Sequence, residues 1–315
     1  MGFETLLGNE RLKKNLAESL AKRHISHFYL ISGPEGSGKH TLAKLLAAAI
    51  LCQEGRKPCL RCTPCRKVME GNHPDFITVE DPEHKNVAVK IVRQFREDVF
   101  IRPNESDYKI YLFPQELGLE GQNALLKILE EPPKYGVFLL LTDNPDKLLP
   151  TVRSRCTELK MQAIPADILR AQLRKDFPQA QEDDLTAAMA RSGGFLGQAR
   201  QLLKSGDQLP PQTESFVQAF VNKDALLLTQ TLVPMEKWKR DALAEILGSW
   251  MQIMEEALAS RSGIHAVSSL ARQLAQTRTA SELRDALHVL KQALEYTQSN
   301  VSPAAVCGWL QWELR

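Results

Sequence analysis

Residues 33–43, GPEGSGKHTLA, place Gly33, Gly36, Gly38 and Lys39 at the spacing of a phosphate-binding loop. The chemistry is electrostatic. Backbone amides at a helix N-terminus have no partner within the helix and, with the helix dipole, attract an anion. The glycines let the backbone approach, and Lys39 adds positive charge near the terminal phosphates of a nucleotide. The next position calls for Ser or Thr, whose hydroxyl binds the magnesium of the nucleotide, but it holds His40. Imidazole is a poor ligand for so hard a cation. Thr41 stands one residue late. Weak or metal-poor binding of ATP or ADP is the expectation, with Gly33, Gly36, Gly38, Lys39 and Thr41 as the nucleotide-binding residues.

A phosphate-loop hydrolase ends a later strand with an Asp for the metal, and usually a Glu to prime water. In KIYLFPQELGL that strand end reads Phe113, Pro114 and Gln115, and the nearest acid is Glu116. Two metal-handling groups are therefore missing at independent positions, which argues for a lost hydrolytic site.

A second cluster follows. Cys52, Cys59, Cys62 and Cys65 are spaced C-x6-C-x2-C-x2-C, with turn-forming Gly and Pro between them. Four thiolates so close in a reducing compartment point to one tetrahedral zinc ion rather than to redox cysteines or unrelated core thiols. The cluster suggests no open ligand position, so the zinc is expected to be structural. Cys156 and Cys307 stand apart and read as ordinary buried thiols. Arg56, Lys57, Arg61, Arg66 and Lys67 surround the cluster, as DNA-contacting charge or as the solvated face of a small knuckle. Arg155, in LLPTVRSRC, follows an apolar run, where a lone Arg is ordinarily a surface residue.

The elements that position these groups are legible from periodicity. HFYLISG (27–33) is a short buried strand that runs into the glycine loop, and Thr41 to Cys52 is an Ala/Leu-rich helix. DFITVE (75–80), KIYLF (109–113) and VFLLLT (137–142) have the length and apolarity of strands. ERLKKNLAESLAK, AVKIVRQFREDVF and EGQNALLKILEEPP have helical period, the last stopped by Pro132 and Pro133. Strands alternating with helices predict a parallel sheet covered on both faces. After about residue 160 the strand signals vanish. Three short helices are expected over 164–205, then a linker at SGDQLPPQT (205–213), then helices only. Two apolar stripes mark core: Leu243, Ile246, Leu247, Trp250, Ile253, Met254 and Leu258, then Leu283, Leu287, Leu290 and Leu294. Thr279 and Glu282 form a capping box ahead of the second.

A chain of 315 residues is too long for one ordinary domain. Its net charge of +2 excludes a non-specific nucleic-acid coat, so any DNA contact must be local. The N-terminal MGFETLLGNE lacks the basic-then-apolar pattern of a secretory signal, and the longest apolar run falls short of a membrane span. A cytoplasmic protein with no membrane association is expected.

The run from LLGNERLKKN through the glycine loop to AAAILC resembles the start of bacterial clamp-loader subunits. So do the cysteines ahead of GNHPDF, the helix NALLKILEEPP and the closing SRC. These are AAA+ proteins of the DNA polymerase III holoenzyme, and the resemblance is ordered over residues 3–160. It implies an AAA+ phosphate-loop domain with a zinc module (1–163, cysteines at 52–65), a small helical lid (164–207) and an all-α collar for oligomerisation (208–315). The motor type, gamma/tau, keeps the loop hydroxyl, an acidic strand end and a lid arginine that would fall at Gly197. This chain departs at all three and is similar to the delta-prime type. That resemblance implies a non-hydrolysing member of a five-subunit ring, beside motor and delta subunits. Sliding clamp and primed DNA would be partners through the assembled complex. Arg155 would then be an arginine finger for a neighbour's ATP site. Two other functions are weighed: an active gamma/tau-like ATPase using Glu116 and Thr41, and a zinc-dependent DNA-binding repair factor.

Overall fold

Strands that are apolar on both faces can be buried only when both sheet faces are covered. In the computed structural model of the chain, β1 (Phe28–Ser32), β3 (Lys109–Phe113) and β4 (Gly136–Thr142) are buried along their whole length. The structure describes every residue except 1, 56, 85, 206–209, 263–267, 300 and 315. The chain divides into two compact units, Met1–Pro178 with Met189–Arg200, and Gln179–Ala188 with Gln201–Arg315.

The first unit contains α1 (Glu10–Ala21), β1, α2 (Lys39–Leu51), α3 (Thr63–Glu70), β2 (Phe76–Thr78), α4 (Val89–Asp98), β3, α5 (Leu119–Glu130), β4, the single turn α6 (Pro150–Arg153), β5 (Thr157–Lys160) and α7 (Ala166–Asp176). All sheet pairings are parallel, in the order β2-β3-β4-β1-β5. The strand period of two divides the apolar side chains between two cores. Tyr29, Ile31, Ile110, Leu112, Leu139 and Leu141 join α1, α2 and α3 on one face. Phe28, Leu30, Tyr111, Phe113, Phe138 and Leu140 join α4 and α5 on the other. There Phe28 stacks on Phe138 with ring centroids 4.3 Å apart, and Phe95 of α4 meets Tyr111 and Phe113 edge-on. After β1 the chain moves to the far edge at β2 and returns through β3 to β4, so the strand order reverses around β1. In open parallel sheets ligands bind outside the carboxyl ends at such a point.

Two elements are not expected from the sequence, and one expectation needs correction. β5 was not foreseen because three of its four residues are exposed and polar and only Leu159 points inward, the pattern of an edge strand. α3 was not foreseen because Pro64 reads as a breaker, whereas proline fits the first turn of a helix. The expected linker at 205–213 overlaps a helix: α10 (Pro211–Asn222) begins within it with a proline in its first turn, and 206–209 lie outside the described residues.

Helices α8 (Glu182–Arg191) and α9 (Leu196–Ser205) each have residues in both units. The second unit is otherwise α10, α11 (Ala225–Leu232), α12 (Arg240–Arg261), α13 (Ser269–Thr277), α14 (Ala280–Gln298) and α15 (Pro303–Glu313). The stripe on α12 is buried from Leu243 to Met254, with Leu258 half-buried. Trp250 stacks on Phe216 at 4.0 Å and 3°. Leu283 and Leu290 of α14 are fully buried, and the Thr279–Glu282 capping box is formed.

One buried carboxylate fixes the loop beside the β2 edge. Asp75 accepts from Asn104 N (2.5 Å) and Nδ2 (3.2 Å), Glu105 N (2.9 Å) and Ser106 N (3.0 Å). Burial alone would raise its pKa, but these donors outweigh it and hold the pKa below 3.8. A depressed folded-state pKa stabilises above the unfolded value and loses that contribution as pH falls through the folded value. Asp75→Asn turns a donor toward these N–H groups, and a loss of about 2–3 kcal/mol is expected at neutral pH. Denaturant melts of both proteins at pH 7 and near pH 3 check it; the gap should narrow at the lower pH.

Candidate functional site

The glycine loop leaves β1 at its carboxyl end and feeds α2, the context a phosphate loop requires. Gly36 (φ +72°) and Gly38 (φ +94°) occupy left-handed backbone that favours glycine. The loop borders a cleft of about 840 Å³, lined also by Thr41, Pro114, Asp143, Gly197 and Arg200, all within the first unit.

Lys39 does not extend freely into this cleft. Its side chain is 8% exposed, and Nζ donates to Gly33 O (2.6 Å), Pro34 O (2.9 Å) and the Asp143 carboxylate (2.6 Å). An ammonium has three N–H donors, so all are committed. His40 follows. Partial desolvation and the charges of Lys39 and Lys44 lower its pKa from the usual imidazole value.

The end of β3 offers the cleft no carboxylate. Gln115 donates from Nε2 to Asp81 O and His84 O, both at 2.9 Å, and accepts from Asp81 N at 2.7 Å. It is a clamp on the loop before α4. Glu116 pairs with Lys147 at 2.9 Å and lines a separate small pocket with Leu117 and Gln122. Of Phe113 to Glu116, only Pro114 borders the cleft.

The four cysteines converge although they come from different places. Cys52 follows α2, Cys59 lies in the connecting loop, Cys62 caps α3 and Cys65 sits in its first turn. Their sulfurs all lie within 4.8 Å of one another, with Cys52–Cys62 at 3.9 Å and Cys59–Cys65 at 4.0 Å. Sulfurs bound tetrahedrally at 2.3 Å stand about 3.8 Å apart, so the donor set fits one metal ion. At Cys59 burial is outweighed by hydrogen bonds from the N–H groups of Arg61 and Cys62 and from neighbouring thiols, and its pKa falls to about 6. Burial raises those of Cys52 and Cys65. An ion here would tie the end of α2 to the start of α3. Among the surrounding cations, Lys57, Arg61 and Arg66 are exposed, Lys67 pairs with Glu105 at 2.7 Å, and Arg56 lies outside the described residues. Cys307 is buried, but Cys156 is only partly so; burial pushes both thiols up to about 11.

Arg155 lies just past α6 with its side chain 39% exposed, donating to Thr151 O at 2.9 Å and approaching Glu130 at 3.4 Å. The structure therefore brings Gly36, Gly38, Lys39 and Thr41 to one cleft and the cysteines to another place, and leaves Arg155 apart at the surface. Asp143 was missed by the sequence reading. Its signal was present, since it directly follows the VFLLLT strand, where a parallel sheet positions functional groups.

A family model described as DNA polymerase III, delta subunit, matches residues 8–165, half of the chain. The chain belongs to this family. DNA polymerase III subunit tau of Bacillus subtilis (strain 168) is 32% identical over 240 residues, covering 72% of this chain. The chain spans 40% of the length of that protein. Subunit gamma of Buchnera aphidicola subsp. Schizaphis graminum is 28% identical over 274 residues, covering 81% of this chain and 75% of that protein. Among solved structures, a DNA polymerase III gamma subunit-related protein of Thermotoga maritima aligns with TM-score 0.52 at 17% identity, over 97% of this chain and 100% of that one. At that identity it shows a shared fold. Within the DNA polymerase III family this chain thus pairs a glycine loop that has His40 after its lysine with a β3 end that carries no acid into the cleft.

Freshly prepared, reduced protein should carry about one metal ion per chain, and zinc is expected from four thiolate donors. Cys62→Ser should release it and loosen residues 52–70, because metal binding at such a site supplies folding energy. Elemental analysis together with hydrogen exchange over those residues reads both effects; metal-free wild type with the loop fully protected would contradict the assignment.

Proposed function

We propose that the chain is a clamp-loader subunit of the delta-prime type. It is an AAA+ protein that keeps the phosphate-loop fold without hydrolysing nucleotide. It acts in the cytoplasm as a fixed member of a ring, with motor (gamma/tau) and delta subunits, that loads the sliding clamp onto primed DNA. The observation that carries this reading is the end of β3. Pro114 is the only residue there that meets the cleft, Gln115 clamps the loop before α4, and Glu116 is engaged by Lys147. Magnesium held for in-line attack needs a carboxylate at this place and a hydroxyl where His40 stands. The same facts weigh against the active-ATPase alternative, which requires Glu116 in the nucleotide cleft.

The remaining features suit such a member. We assign residues 1–163 to the AAA+ domain, 164–207 to a lid and 208–315 to a collar. Leu226, Val233 and Trp312 of the last region are exposed, Trp312 by 74%, as suits a surface met by other subunits. The cysteine module is read as a structural zinc site. Arg155 is assigned to a neighbouring motor's ATP site. Its own site lacks the metal chemistry a guanidinium would assist, whereas a neighbour's γ-phosphate offers developing charge to stabilise.

Arg155→Ala should leave the chain folded and able to assemble, since a surface ion pair such as that with Glu130 contributes at most about 1 kcal/mol. A finger in trans is worth about 10³- to 10⁵-fold at the site it serves; with one of several sites impaired, the loss for the whole loader should be far smaller than that but measurable. Reconstituted loader with clamp and primed DNA, wild type against variant, gives the comparison. Equal ATPase and loading rates with intact assembly would reduce Arg155 to a surface residue.

A further inference from the structure

The cations that line the cleft are each held by a carboxylate of the chain itself. Lys39 is tied to Asp143 at 2.6 Å, and Arg200 is tied to Asp176, with Nε at 2.7 Å and Nη2 at 2.6 Å. His40, beside them, is biased toward its neutral form by partial desolvation and the charges of Lys39 and Lys44. Glu4, Glu35 and Asp143 line the same cleft. A nucleoside triphosphate brings several negative charges into this space, and the lysine that should receive its terminal phosphate already holds an anion. The Asp143 carboxylate is 58% exposed, so it borders the cleft while making that bond.

A second contact holds the loop from another direction. Gly197 N, in the first turn of α9, donates to Gly36 O at 2.9 Å. The two backbones are so close that a Cβ on Gly197 would stand 2.5 Å from Gly36 Cα, and one on Gly36 would stand 2.5 Å from Gln198 N. Such an approach is possible only between glycines, because real side chains do not enter that distance. The loop is thus fixed at Gly36 by backbone and at Lys39 by charge.

We propose that Asp143 determines which nucleotides this cleft excludes: its carboxylate stands on Lys39 in place of a terminal phosphate and, with the Gly36–Gly197 contact, latches the loop against nucleoside triphosphates. The proposal rests on the reading of the chain as a non-hydrolysing subunit, and extends it from lost hydrolysis to an active block on binding. Asp143 acts on the ligand directly, by occupying its site; Gly197 is a positioning residue.

The test is equilibrium binding of ATP, ADP and AMP to the full chain, with and without magnesium, for wild type, Asp143→Asn, Lys39→Met, Gly197→Ala and the double variant Lys39→Met/Asp143→Asn. A latch that leaves the loop open in about a tenth of molecules or fewer weakens apparent affinity tenfold or more. Asp143→Asn, nearly identical in shape, should therefore tighten ATP about tenfold or more, ADP less and AMP not at all. Against a Lys39→Met single variant the double variant should show no gain, which separates the latch from a general change in cleft charge. Gly197→Ala should tighten ATP in the same direction by wedging the loop from α9. Thermal melts establish that each variant is folded. Unchanged or weaker ATP binding by folded Asp143→Asn would overturn the proposal, as would equal gains for ATP and AMP or a gain that survives loss of Lys39. ATP turnover by the wild type would instead refute the non-hydrolysing reading, so the two failures are distinguishable.

Discussion

A buried ammonium must find acceptors for its donors, and in this protein that requirement organises the carboxyl end of the sheet. Lys39 opens α2, yet it reaches back to Gly33 O and Pro34 O at the exit of β1 and across to Asp143 at the exit of β4. β1 and β4 are neighbours in register, Ser32 beside Thr142, so a single side chain joins two strand ends and a helix start. An unpaired charge at 8% exposure would be strongly destabilising, which makes these three acceptors a condition of the loop's shape. In a nucleotide-loaded loop the same ammonium faces phosphate. Here the acceptors are supplied by the chain.

The other departures follow the same direction. Gln115 is neutral and bonded to backbone on both sides, giving rigidity where a hydrolase needs a metal ligand. Glu116, the one acid near that strand end, is turned to Lys147. The apolar faces of β1, β3 and β4 are meanwhile fully buried. An undamaged core beside this strand-end chemistry is the contrast on which the proposed function rests.

Much of this was legible in the residues. The buried strands announced themselves by continuous apolar runs, and the glycine spacing located the loop, because both signals are local. The cysteines were readable for the same reason, four donors within fourteen residues, Cys52 to Cys65. The edge strand Thr157–Lys160 was not, since its pairing with β1 comes from the sheet and not from its own polar sequence. Nor were the contacts that close the loop. Asp143 lies 104 positions from Lys39 in the chain, and no periodicity links them. Gly197 could be read as a departure from the motor pattern, but its approach to Gly36 is a fact of tertiary packing.

The most direct measurement is steady-state ATP hydrolysis by the isolated chain in saturating magnesium, against a Lys39→Met control. The account predicts that wild type and control release phosphate at the same background rate, because the cleft contains neither a hydroxyl at position 40 nor a carboxylate from β3 to hold the metal. Turnover near the range of ordinary enzymes, about 1 s⁻¹ or above, that disappears with Lys39 would contradict it and identify the chain as a motor.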